Sequence, residues 1–123
     1  MRGIDPRLLG LPGCLLLIGA VPARPHLFIG TVKACRDRVL RAEIATDAYS
    51  GAPVLRIAFD AHGRADIAAL TQRLVNRQIT IRLGRRIVSQ PRVMEPILGG
   101  EVEIHAAANV DLDAMRQAAM RSC

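Results

Sequence analysis

The chain has 123 residues, half of them hydrophobic, and a formal charge of +6 from 17 basic and 11 acidic side chains. That length supports one modest core and excludes two. All the basic residues but Lys33 are arginine, and the rings are limited to two Phe and one Tyr, so the charge suits an anionic partner while the stacking platforms and basic recognition helices of nucleic-acid binders are missing.

Arg2 and Arg7 precede an uncharged apolar run, Leu8 to Ala20, that leads to the small residue Ala23. A basic start, a short greasy middle and a small exit residue are the parts of a secretory signal peptide, and the run is shorter than the roughly 20 residues a membrane span needs. Residues 1–23 are therefore expected to be an address, with the exported chain beginning at Arg24 in the periplasm. The tetrapeptide LPGC, Leu11 to Cys14, also has the look of a lipoprotein box, which makes an acyl anchor on Cys14 the rival fate. With Cys14 gone, Cys35 and Cys123 remain. An oxidising compartment permits a bridge between them, but spacing alone does not bring them together, and a buried unpaired Cys35 with a frayed Cys123 is the expectation.

Residues 24–38 read as a lead-in whose piece HLFIGTVKAC adds an edge strand. From Val39 the pattern alternates, with Leu40, Ala42 and Ile44 on one face and Arg41 and Glu43 on the other, as in a half-buried strand. Asp47 to Pro53 form a turn, and VLRIAF makes a second strand with Leu55, Ile57 and Phe59 inward. Asp60 is placed to cap a helix running to about Val75 with an apolar stripe of Ile67, Leu70 and Leu74, and Asn76 suits its left-handed stop. ITIRL and RIVSQ flank Gly84-Arg85, a two-residue type II′ hairpin connection. The stretch VSQPRVMEPILGG cannot be plain helix or strand, because Pro91 and Pro96 lack an N–H and Gly99-Gly100 favours a turn. EVEIHA then alternates Val102, Ile104 and Ala106 against Glu101, Glu103 and His105, and a final helix from Val110 or Asp111 carries Leu112, Met115 and Ala119 on one side. Strands, helix, strands, helix imply an α+β fold: a mixed or antiparallel sheet of four to five strands with two helices on one face. Residues 39–123 form the folding unit.

Catalytic and metal-binding patterns do not emerge. His26, His62 and His105 are far apart in sequence, and none belongs to H-E-x-x-H, G-x-S-x-G or a phosphate-cradling loop. Glu101 and Glu103 share a solvated strand face, and Cys35 has no zinc-type spacing to a histidine. Neither a catalytic residue, a metal nor a cofactor is expected.

Read in order, Phe59-Asp60, Leu70-Thr71, Ser89-x-Pro91, Pro96-Ile97 and Gly99-Gly100 resemble the head subdomain of the first periplasmic domain of SecD, the accessory subunit of bacterial protein export. That family follows a strand ending in Phe-Asp with a helix, a hairpin leading to Ser-x-Pro, an Ile-x-Gly-Gly turn and a closing strand and helix, and the likeness spans Val39 to Ser122. Two departures stand out: Gly84-Arg85 replaces the family's Asp-Gly or Asn-Gly hairpin, and Ala106 to Val110 replaces its small-Gly-Phe-Thr sequence. The resemblance implies the fold and a non-catalytic module that contacts exported polypeptides or an envelope or translocase protein. In the loop itself Met94, Ile97 and Leu98 are the apolar candidates for such contact, beside the plainer reading in which Pro91 and Pro96 stiffen the return and Ile97 and Leu98 plug the end of the core. The alternative is a basic envelope-surface domain whose Arg82, Arg85, Arg86 and Arg92 meet anionic lipid head groups.

Overall fold

Alternating apolar residues and two acidic caps divide the chain into the elements of a computed structural model, which describes residues 24–105, 107 and 109–123. In chain order these are β1 (Leu27–Ile29), β2 (Val32–Ala34), β3 (Val39–Thr46), β4 (Pro53–Phe59), α1 (Ala61–Arg73), β5 (Ile81–Leu83), β6 (Arg86–Ser89), β7 (Glu101–Ile104) and α2 (Leu112–Ala119). The expected α+β class holds. Its strands are divided between two antiparallel sheets, β2-β1-β5-β6 and β3-β4-β7, instead of being gathered in one. The address and the anchor site proposed for residues 1–23 lie outside the described residues, as does Ala106.

Asp60 caps α1 as the sequence reading has it, while Asp111, read there as a possible helix start, proves to be the cap of α2. The Asp60 carboxylate accepts the Gly63 N–H at 2.8 Å, and the Asp111 carboxylate accepts those of Asp113 and Ala114 at 3.0 and 3.2 Å, satisfying first-turn donors that have no partner within the helix. Helix α1 ends at Arg73, two residues before the predicted Val75, because Val75 enters a bridge with Val93. Asn76 then takes the expected left-handed conformation, φ 68°. At the β5–β6 turn Gly84 has φ 62° while Arg85 stays at negative φ, which fits type II′ and excludes type I′.

Residues 24–38 form a hairpin whose first strand lies inside its sheet, between β2 and β5, where the sequence reading has an edge. Strand β3 also departs from simple alternation. Val39 pairs with Phe59 and Arg41 with Ala58, so Leu40 is an extra residue in a bulge and is 63% exposed. Beyond the bulge Ala42 and Ile44 oppose Ile57 and Leu55; Ala42 packs against the core, but Ile44, expected to face inward, is left 44% exposed.

The interior is aliphatic. Leu27, Leu55, Ile57, Ile67, Ile104 and Met115 are almost fully enclosed, and Phe59, Ile81 and Val102 join the same cluster with Leu112 packed against its margin. Helix α1 packs on β2 and β4, and α2 packs on β1, β3 and β4, so the helices tie the two sheets into one core. Gly63 is required at the start of α1, since a Cβ there would lie 2.6 Å from the Phe59 ring and 2.9 Å from the Arg38 carbonyl oxygen.

Where the sequence leaves Cys35 and Cys123 unpaired, the structure joins them in a disulfide with their Cα atoms 5.3 Å apart. The fold does what spacing could not: α2 returns the chain to the β2–β3 connection, where the Arg36 N–H donates to the Arg121 carbonyl at 2.9 Å and sets the two cysteines side by side. The bridge closes a sequence separation of 88 residues. In the chain-entropy description a loop of that size contributes about 4.6 kcal/mol. Replacing both residues (Cys35→Ala with Cys123→Ala) is expected to lower the unfolding free energy in urea by about that amount, whereas a loss below about 1 kcal/mol would show that the bridge hardly restricts the unfolded chain.

Candidate functional site

The segment between β6 and β7 is fixed by its backbone. Strand-like hydrogen bonds run from the Ile79 N–H to the Pro91 carbonyl (2.9 Å), from the Val93 N–H to the Arg77 carbonyl (2.8 Å) and from the Asn76 N–H to the Val93 carbonyl (2.7 Å). Further along, the Ile97 N–H donates to the hydroxyl of Thr71 at 2.9 Å, and that hydroxyl donates to the Ile67 carbonyl at 2.7 Å. Thr71 is a fully buried polar residue, so both capacities of its hydroxyl are used inside the protein. The segment closes where the Gly100 carbonyl accepts the Phe59 N–H at 2.8 Å, with Gly100 at φ 77° and placed so that a Cβ there would lie 3.0 Å from the Arg64 side chain. The prolines have no N–H to leave unpaired in this arrangement.

This stitching sorts the side chains. Val93 is buried and Ile97 is half-buried against the core, whereas Met94 is 71% and Leu98 is 61% exposed. Beneath the segment lies a groove of about 310 Å³ with Ile79, Ile81, Val93, Ile97 and Val102 in its lining and Met94, Glu95 and Glu103 at its margin. Of the residues singled out from sequence, Met94 and Ile97 line this groove, as does Arg92 from the arginine set, and Leu98 stands beside them in the chain. Val93 and Thr71 carry the arrangement without having been singled out for it. A threonine late in a helix can bond back to the carbonyl four residues earlier, but its second bond, to a residue 26 positions further on, has no sequence signal.

The four arginines do not converge as a set. Arg82 lies over the Phe28 ring and donates to the Gly84 carbonyl at 2.9 Å, Arg85 is exposed at the hairpin turn, and Arg86 reaches the Asn109 carbonyl at 3.4 Å. Arg92 belongs to the loop and donates to the Asn76 carbonyl.

The histidines also stay apart. His26 faces the Ser122 carbonyl at 3.1 Å, and His62 is exposed in the first turn of α1. His105 is 3.2 Å from Glu103, whose other carboxylate oxygen accepts the Arg56 Nε–H at 2.9 Å. Asp47 brings its carboxylate within 4.8 Å of this pair. Hydrogen bonds from the Ser50 hydroxyl (2.6 Å) and backbone N–H (2.9 Å) hold the Asp47 carboxyl below the usual carboxylate range. Each carboxylate thus already has protein donors, and the group is an exposed ion-pair cluster across the sheet face.

The fold is a two-sheet α+β domain with an apolar groove under a pinned proline loop. The chain belongs to the SecDF P1 head subdomain family, whose model matches residues 22–119. It is 42% identical over 65 residues to the protein translocase subunit SecD of Acidaminococcus fermentans, a match spanning 53% of this chain and 16% of that protein. Its fold is like that of a solved structure described as a membrane component SecDF that enhances protein export, with TM-score 0.63 and 17% identity over 74% of this chain and 40% of the other. SecDF in a super-membrane-facing form superposes at TM-score 0.60, also at 17% identity, over 73% of this chain and 12% of that one. The P1 head is a periplasmic domain of a membrane protein accessory to protein export, and the family is not a known class of enzyme. Among the described residues no helix is long and apolar enough to cross a membrane.

The Thr71 hydroxyl is the part of this site most open to a direct check. Thr71→Val keeps the shape but leaves the Ile97 N–H without its acceptor, a loss expected to cost about 1–3 kcal/mol in urea unfolding, with Thr71→Ser restoring most of it. An effect below about 0.5 kcal/mol would mean that the bond does not hold the loop.

Proposed function

We propose that this chain is a non-catalytic module acting on the periplasmic side in protein export, and that it contacts an extended segment of an exported polypeptide at the groove beneath residues 91–98. The observation that carries the reading is the exposure of Met94 and Leu98 on a backbone held at both ends, because apolar side chains presented on a fixed frame cost little further ordering when a partner arrives. Strand β7, an edge of the three-stranded sheet, lends Val102 and Glu103 to the groove lining. An incoming chain laid along such an edge gains main-chain hydrogen bonds that do not depend on its sequence, while the groove accepts alternate apolar side chains. Sequence-tolerant contact is what a module meeting many exported proteins requires. Membership in the SecDF P1 head family supports the reading, as does the likeness to a protein translocase subunit.

Site-specific photo-cross-linking tests it. A cross-linker at Met94 or Leu98 is expected to trap an exporting polypeptide in cells, while one at Leu40, which is 63% exposed on the opposite edge strand β3, is expected to give far less adduct. Recovery of monomer alone from positions 94 and 98, or equal adduct from all three, would remove the proposal.

A further inference from the structure

The two sheets differ sharply in charge. The three-stranded sheet holds Arg41 and Arg56 against Glu43, Glu101 and Glu103, and its cations are paired: Arg41 with Glu101 at 3.5 Å and Arg56 with Glu103 at 2.9 Å. Residues 27–34 and 81–89, which make up the four-stranded sheet and its turns, carry Lys33, Arg82, Arg85 and Arg86 and contain no Asp or Glu. Strand alternation turns Leu27, Ile29, Val32, Ala34, Ile81 and Val88 into the core, so the opposite face belongs to the residues between them.

Register places four of those residues in one row across the sheet. Lys33 pairs with Phe28, Phe28 with Arg82, and Arg82 with Ile87, one residue from each of β2, β1, β5 and β6. The Arg82 guanidinium lies 4.6 Å and the Lys33 ammonium 6.0 Å from the Phe28 ring centre, and Ile87 is 53% exposed at the end of the row. Arg85 extends the positive charge into the hairpin turn, whereas Arg86, opposite the core-side Leu83, reaches the Asn109 carbonyl on the inner side. Four strands at roughly 4.8 Å spacing make a face about 15 Å across.

We infer that this outer face of the four-stranded sheet docks on an anionic phospholipid surface. Charge complementarity selects the occupant: the strands and turns of this face carry cations and no acidic residue, with Phe28 between Lys33 and Arg82 and Ile87 at the end of the row. That is the composition of an interfacial surface, in which the ring and aliphatic group enter the head-group layer and guanidinium groups bind phosphates. A nucleic-acid partner fits poorly, since the face offers a single ring already flanked by two cations. The row is also separate from the apolar groove assigned to polypeptide, sharing none of its lining residues.

The test is vesicle co-sedimentation of the full chain, using phosphatidylcholine vesicles with and without phosphatidylglycerol. Because Leu8 to Ala20 is apolar in every variant, the comparison rests on differences between variants and between vesicle compositions. The chain is expected to bind the phosphatidylglycerol vesicles more tightly and to lose that difference at high salt. Arg82→Glu with Arg85→Glu should weaken partitioning by about thirtyfold or more, at roughly fivefold per basic residue near the surface. Arg41→Glu with Arg116→Glu, on the other sheet and on α2, changes net charge equally, away from this face, and should leave binding nearly unchanged. Should the first pair fail to fold by circular dichroism, Lys33→Glu on the far edge strand asks the same question. Equal losses from both pairs, loss from neither, equal binding to neutral vesicles, or binding to a polyanion such as heparin without binding to vesicles would each overturn the inference.

Discussion

The Thr71 hydroxyl is the smallest feature on which the site depends. It ends the internal bonding of α1 by donating to the Ile67 carbonyl, and it begins the architecture of the loop by accepting the Ile97 N–H. With that bond and those around Pro91 and Val93 in place, Val93 and Ile97 must turn inward and Met94 and Leu98 outward. The exposed pair is thus a consequence of backbone bonding, and its apolar character is held in water by a frame that prevents it from collapsing onto the core.

The rest of the fold exists to support that frame. An aliphatic core with few rings buries less area per residue than an aromatic one, and the chain compensates with a covalent tie between Cys35 and Cys123 and with helices that touch both sheets. The sheets then divide the surface. One carries paired opposite charges across its outer face, and the other carries only positive charge interleaved with Phe28 and Ile87. One small domain thus presents two kinds of surface, one apolar on a fixed backbone and one cationic.

Much of this was legible in the residues, and what was not has a common cause. Asp60, Asn76 and Gly84 announced themselves because a cap, a left-handed stop and a tight turn are each decided within a few positions, and the structure places all three as read. The ordered motifs from Phe59 to Gly100 carried the family likeness, which the family match extends back to residue 22. Alternation, however, gives a strand's parity and not its neighbour. Nothing local says that β1 pairs with β5 some fifty residues away, that Leu40 is an extra residue in a bulge, or that α2 brings Cys123 to Cys35. In the site, Met94 and Leu98 were visible as apolar residues in a proline loop, while Thr71 was hidden because its decisive partner is distant in sequence.

Amide hydrogen exchange at Ile97 tests the account most directly. If the loop is a fixed frame, the Ile97 N–H should exchange as slowly as that of Phe59, which bonds the Gly100 carbonyl at the same loop's other end, and it should become fast when the Thr71 hydroxyl is removed. Exchange of the Ile97 N–H at the rate of an open chain in the unaltered protein would contradict it, because Met94 and Leu98 would then be displayed by a mobile segment and not by a built surface.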